Sequence, residues 1–277
     1  MKYLLLLFSV FAFGQAPNEM VSFTQAAGLG FFLKPGQSHV TSLKCMTKLE
    51  AVTKYYLEPG PLAGYADNQL IPRSAWLGIL CLPGPTAVVN VTSPTGRIWM
   101  DRNLGAFQAA TSMSDLASYG DLYQWGRGTD GGQCRNSTQV PSYTGFPTDS
   151  PGNIFIQASD APNSDWRNPQ NNNLWQGVNG INNPCPSGYR LPTAAELSAE
   201  IAQFSPQNTT GAFNSVLKLP ASGNRGSTGD IIDFGNAQYW TSTVNGINAQ
   251  GAYSYSTGIY ISSFPRFNGF AVRCIKN

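Results

Sequence analysis

A short alternating strand with a cysteine near its end constrains this chain more than any other feature. It is Gly269-Phe-Ala-Val-Arg-Cys-Ile-Lys-Asn277. If extended, Phe270, Val272 and Cys274 point one way, and Ala271, Arg273 and Ile275 the other. Such a strand ties the terminus into a sheet, with a covalent staple available at Cys274. Upstream, Asn183-Pro-Cys-Pro-Ser-Gly-Tyr-Arg-Leu-Pro-Thr-Ala-Ala-Glu-Leu197 offers a partner cysteine and a helix start.

The helix start is explicit. Thr193-Ala-Ala-Glu196 predicts a capping box, in which the Thr hydroxyl accepts from the Glu backbone and the Glu side chain reaches back. Leu197, Ile201 and Phe204 then repeat at helical spacing as one apolar stripe, and Pro206 marks the stop.

Five cysteines, Cys45, Cys81, Cys134, Cys185 and Cys274, lack the C-x-x-C spacing of metal or redox motifs. In an exported chain they predict disulfides with one thiol left over. Cys185–Cys274 is the first pairing expected and Cys45–Cys81 the second, leaving Cys134 free. Export itself is read from Met1-Lys2, the apolar run Tyr3–Phe13 and Gly14-Gln15, a secretory signal cut before Gln15. The structural alternative is a buried apolar strand or an uncleaved tail. A spanning helix needs roughly 20 apolar residues, so no stable membrane span is expected.

Charged residues are only 12%, about half the common share, and the net charge is +2. With no Lys/Arg run, the chain has no electrostatic footprint for nucleic acid. Such a neutral, Gly- and Asn-rich chain suits a loop-rich extracellular protein with short strands.

The punctuation Leu82-Pro-Gly-Pro85 divides the chain. The organisation expected is a signal-like segment over 1–14, a small β-rich N-terminal module over 15–86, and one domain over 87–277. Within the module, 40–57 fits a helix or strands, with threonines and tyrosines favouring strands. In the main domain, Val88–Val91 and Arg97–Met100 flank Ser93-Pro-Thr-Gly96 as a hairpin. A short helix is expected over Ser114–Tyr119, and 126–183 reads as long ordered loop.

Five ordered blocks carry a resemblance. They are Gly96-Arg-Ile-Trp-Met-Asp-Arg-Asn-Leu-Gly-Ala106, Tyr119-Gly-Asp-Leu-Tyr-Gln-Trp-Gly126, Cys185-Pro-Ser-Gly-Tyr-Arg-Leu-Pro-Thr193, Tyr239-Trp-Thr-Ser-Thr243 and Gly269-Phe-Ala-Val-Arg-Cys274. Over residues 90–277 the chain resembles the Fibrobacter succinogenes major paralogous domain (FISUMP), found in surface and secreted proteins of Bacteroidetes and in their phages. The resemblance implies an α+β, C-type-lectin-like fold: short antiparallel strands, one or two helices and long ordered loops. It also implies that residues 270–275 pair antiparallel with 97–100. That fold hosts unrelated functions, so function must come from a site.

The segment 244–268 is the expected binding surface. About half of it is Tyr, Ser, Gly or Asn, and Arg266 is its only charge. Rigid amphipathic rings interleaved with small polar residues are the composition of evolved paratopes. Tyr253, Tyr255, Tyr260, Phe264 and Phe267 are the expected contacts and Arg266 the charged handle. In lectin-fold proteins diversified by retroelements the variable surface lies in this place. Ordinary cross-strand aromatic pairing is the alternative.

Other sites are weaker. Trp125, Trp166, Trp175 and Trp240 suit sugar stacking or core, with Trp166 and Trp175 the better sugar candidates. Asp130, Asp149, Asp160 and Asp165 offer oxygen ligands, but lack a D-x-D-x-D-G pattern and fit turns better. The lone histidine, His39, falls outside the FISUMP-like region. It has no nucleophile-elbow motif to support a triad. Asp230 and Asp233 are spaced for a turn rather than for glycoside hydrolysis.

The expectation is therefore a non-enzymatic recognition module, secreted or at the cell surface. It needs no cofactor or metal, binds a glycan or protein ligand and is compatible with a homo-oligomer. A phage receptor-binding or decoration protein, with the N-terminal module as attachment piece, is the alternative, and a carbohydrate-active enzyme the second alternative.

Overall fold

The structure, a computed structural model, describes residues 85–277 except 136, 143, 159–161 and 233. The signal-like segment, almost all of the N-terminal module, His39, the Cys45–Cys81 pair, Asp160 and Asp233 lie outside the described residues. What is described is mixed α and β, with mostly short antiparallel strands and two α-helices.

The expected hairpin forms from β1 (Asn90–Thr92) and β2 (Ile98–Met100), with Val91 opposite Trp99. Gly96 N–H donates to the Ser93 carbonyl to close the turn. The other strands are β3 (Tyr123–Gln124), β4 (Thr138–Pro141), β5 (Ile154–Gln157), β6 (Tyr189–Arg190), β7 (Asn224–Arg225) and β8 (Ile231–Ile232). They are followed by β9 (Ala237–Asn245), β10 (Asn248–Ser254), β11 (Ile259–Phe264), β12 (Gly269–Phe270) and β13 (Ile275–Lys276). The sheets run β1-β2-β13-β6, β3-β12-β7-β8, β11-β10-β9 and, in parallel, β4-β5.

Helix α1 (Ala194–Ile201) has both halves of its capping box. Arg190 grips the same Glu196 with both terminal guanidinium nitrogens, Nη1 and Nη2, each at 2.8 Å, which fixes the helix entry to β6. Leu197, Ile201 and Phe204 are all buried, in a cluster that includes Tyr239, Ala252, Ile259 and Ile275. At the far side of α1, Glu200 is buried and latches the first hairpin. Its Oε1 accepts from Ser93 Oγ at 2.5 Å, from Trp99 Nε1 at 3.1 Å and from Thr95 Oγ1. Helix α2 (Thr209–Asn214) follows, capped by the Asn208 side chain. Residues Leu116–Ser118 make a 3-10 turn rather than a full helical segment.

The closing stretch divides its side chains as alternation requires. Phe270, Val272 and Cys274 enter one core cluster, while Ala271 and Ile275 enter the cluster under α1. Arg273, on the latter side, is buried and donates to Asn103 Oδ1 from Nε and Nη2. Cys274 is disulfide-bonded to Cys185, with Cα atoms 5.9 Å apart.

Three expectations need correction. Residues 270–275 do not form one ladder with 97–100. Only Ile275 sits opposite Trp99, while Phe270 pairs with Tyr123 in another sheet, so the stretch links two sheets. Residues 126–183 are not all loop, because β4 and β5 pair there in parallel. The Ile154-Phe-Ile run has the apolar, β-branched character of a buried strand. Finally, Cys134 is disulfide-bonded and is not the leftover thiol, so the expected set of two pairings with Cys134 free does not hold.

The 126–183 stretch holds together through amides. Gln124 Nε2 donates to the carbonyls of Ile156 and Phe267 at 2.8 and 2.7 Å. Asn182 Nδ2 reaches the Gly126 carbonyl at 3.0 Å and the Asp149 carbonyl at 2.6 Å. Buried backbone must find partners, and without long ladders these side chains supply them.

Candidate functional site

The sheet β11-β10-β9 has two unlike faces. Ala252, Tyr239 and Ile259 face the cluster under α1, while Trp240, Ala249 and Phe264 belong to the other core. In the register, Tyr253 lies between Gln238 of β9 and Tyr260 of β11. Tyr253 and Tyr260 thus project on the Trp240 side, further along the strands.

This produces an aromatic run from core to solvent. Phe270 and Phe264 meet edge to face at 5.0 Å, and Phe264 reaches Tyr253 at 6.2 Å. Tyr253 then meets Tyr255 edge to face at 4.0 Å. Tyr255 is 42% exposed and Tyr260 59%, whereas Tyr253 and Phe264 are half-buried. Tyr260 lies over Gly258, where any Cβ would collide with its hydroxyl.

The turn that presents these rings is braced by α2. Thr209 N–H donates to the Tyr255 carbonyl at 2.9 Å, and Asn208 Nδ2 to the Ser256 carbonyl at 2.8 Å. Thr209 Oγ1 and Ser254 Oγ are 3.2 Å apart. Rings already fixed in place lose little freedom on meeting a ligand.

Arg266 and Phe267 are elsewhere. Arg266 is 1% exposed, its guanidinium 4.5 Å over the Trp125 ring. Its Nη2 donates to Asn172 Oδ1 at 2.7 Å, and Nη1 is 3.8 Å from Asp165 Oδ2. Burial lowers the Arg266 pKa and raises that of Asp165, and each charge offsets part of the shift on the other. Phe267 is buried in the Trp240 core. Neither is a handle or contact at the surface: Pro265 and the turn after it send the chain inward, so alternation from β11 does not carry through.

The sugar-stacking candidates are also corrected. Trp125, Trp166, Trp175 and Trp240 are all fully buried. Each indole N–H donates to a carbonyl: Trp125 to Thr241, Trp166 to Trp125, Trp175 to Arg127 and Asn182, and Trp240 to Tyr123. They are core residues inside a polar wrapping.

The loop carboxylates have partners too. Asp130 pairs with Arg127, and Asp149 with Arg167. Among the described residues no three His, Cys, Asp or Glu side chains group to hold a metal ion. No described helix is long and apolar enough to cross a membrane.

Sequence reasoning gives no role to Asp121, which the fold buries beside a pocket. That pocket, about 260 Å³, is lined by Leu104, Gly105, Asp121, Tyr123 and Thr129, with Thr86 and Pro85, Pro184 and Pro186. Its walls come from four separate stretches, so no local motif marks it. Set against models of protein families, curated proteins and solved structures, the chain finds no match.

Proposed function

We propose that this chain is a non-enzymatic recognition module of the FISUMP kind on a C-type-lectin-like scaffold. It acts outside the cell or at its surface, and binds a neutral glycan or protein surface through Tyr253, Tyr255 and Tyr260. The carrying observation is that the β10–β11 hairpin gathers these three rings on one face, with Tyr255 and Tyr260 open to solvent. Flat aromatic faces suit the apolar C–H faces of sugars and the ridges of a protein partner. The segment's one cation, Arg266, is buried, so affinity must come from rings and neutral hydrogen bonds.

The ordered sequence blocks support the family reading. The Cys185–Cys274 disulfide and the bonded state of Cys134 favour an oxidising compartment. The test is full-length protein on a glycan array, with the same protein probed against intact bacterial surfaces. Tyr255→Ala and Tyr260→Ala should lose the signal while melting as wild type. Unchanged binding by both variants overturns the proposal.

A further inference from the structure

The pocket beside Asp121 is separate from the tyrosine face and has its own chemistry. Asp121 is buried, and its Oδ1 has no hydrogen-bond partner among the described residues. A buried carboxylate oxygen left without a donor is costly, and a donor supplied from outside removes that cost. The carboxylate is packed against Gly105, whose φ is +77° and where a Cβ would overlap it. Leu104, Pro85, Pro184 and Pro186 make the walls mainly apolar, and hydroxyls of Thr86, Tyr123 and Thr129 stand among them. Tyr123 and Thr129 hydroxyls are 3.3 Å apart.

We propose that this pocket binds a small organic ammonium, with its cationic head on Asp121 and a compact apolar body against Leu104 and the prolines. A carboxylate accepts from an ammonium more strongly than from a neutral donor, and more so away from water. The volume suits a single ring or short alkyl chain, below the size of drug-like pockets.

The groups around Asp121 set its titration. Burial pushes its pKa up to about 7, with Arg135 and a hydrogen bond from Gln133 pulling it down. The Tyr123 hydroxyl is held neutral, its pKa raised by burial and by the charges of Asp121 and Asp130. A cation on Asp121 therefore binds best above neutrality, where the carboxylate is ionised.

The test is a ligand-observed NMR titration of full-length protein with cyclohexylamine, using cyclohexanol as the neutral isostere. Saturable binding of the amine at pH 8 is expected, weaker by roughly tenfold or more at pH 5.5, with cyclohexanol not competing. Asp121→Asn should abolish amine binding, and Thr129→Phe, at the exposed rim, should block it in a protein that still unfolds cooperatively. The wild-type pH series stands even if Asp121→Asn fails to fold. No amine binding, equal binding of cyclohexanol, pH-independent affinity, or full binding by Asp121→Asn each overturns the proposal.

Discussion

Trp240 and Phe270 stack with ring centroids 4.2 Å apart, and so lock β9 of one sheet onto β12 of another. The backbone repeats the joint: Trp240 N–H donates to the Ala271 carbonyl at 3.1 Å, and Ala271 N–H to the Gln238 carbonyl at 3.0 Å. The last stretch of the chain is therefore a shared part of three sheets.

Deleting residues 270–277 should abolish cooperative folding, because it removes Phe270, β13 and one half of the disulfide together. Circular dichroism melts check this; a sharp transition in the truncated protein would contradict it. The milder change Cys274→Ser should cost about 2–5 kcal/mol in urea unfolding, as for native disulfides of secreted domains.

Binding and stability should separate along 253–266. Tyr255→Ala and Tyr260→Ala are expected to cost more than about 1 kcal/mol of binding each, the usual cost of losing an aromatic anchor, with stability nearly unchanged. Arg266→Ala should do the reverse. It leaves Asp165 buried without its cation, a loss on the order of 3–5 kcal/mol. Parallel binding and denaturation measurements on the three variants decide the matter.

The α1 cap should make the fold acid-sensitive. Hydrogen bonds from Arg190 hold Glu196 at a pKa of about 2, well below its ordinary value. A depressed carboxylate stabilises the native state above its unfolded pKa, and that contribution is lost as pH falls from about 4.5 towards 2. Glu196→Gln should flatten the stability curve in that window, and Thr193→Ala should cost about 1 kcal/mol throughout.

Asp121 should act in the opposite sense. Its raised pKa means its contribution is full below about 4 and is lost as pH rises through about 7. Without ligand, Asp121→Asn should gain stability relative to wild type between pH 5 and 8. Urea midpoints across that range test it, and parallel curves for the two proteins would refute it.

Local signals were legible in the sequence. Thr193 and Glu196 are three residues apart, so their reciprocal bonds follow from spacing alone. The alternation of Phe270 to Ile275 likewise survives, because each residue meets a core on its own side. Tyr255 and Tyr260 are on the surface as the composition of 244–268 suggests. Arg266 shows where that reading stops: composition gives no face, and a turn at Pro265 reverses the outcome. Trp166 and Trp175 mislead for a related reason. Their polar neighbours satisfy backbone around a buried ring instead of facing water. The Asp121 pocket is assembled by long-range packing and has no local signature at all.

The order β1-β2-β13 has a mechanical consequence. The two strands beside β2 both run antiparallel to it and hence parallel to each other. Asn90 lies opposite Met100, while Lys276 follows Ile275, which lies opposite Trp99. A tether entering before Asn90 and one leaving beyond Asn277 therefore depart from opposite ends of the sheet. Tension applied directly between residue 89 and Asn277 loads the strands in shear, straining the hydrogen bonds on both sides of β2 together instead of unzipping them singly. Should β13 nevertheless peel away, only Ile275, Lys276 and Asn277 come free before the force reaches the covalent bond at Cys274 and is passed to Cys185, at the lead into β6 and α1.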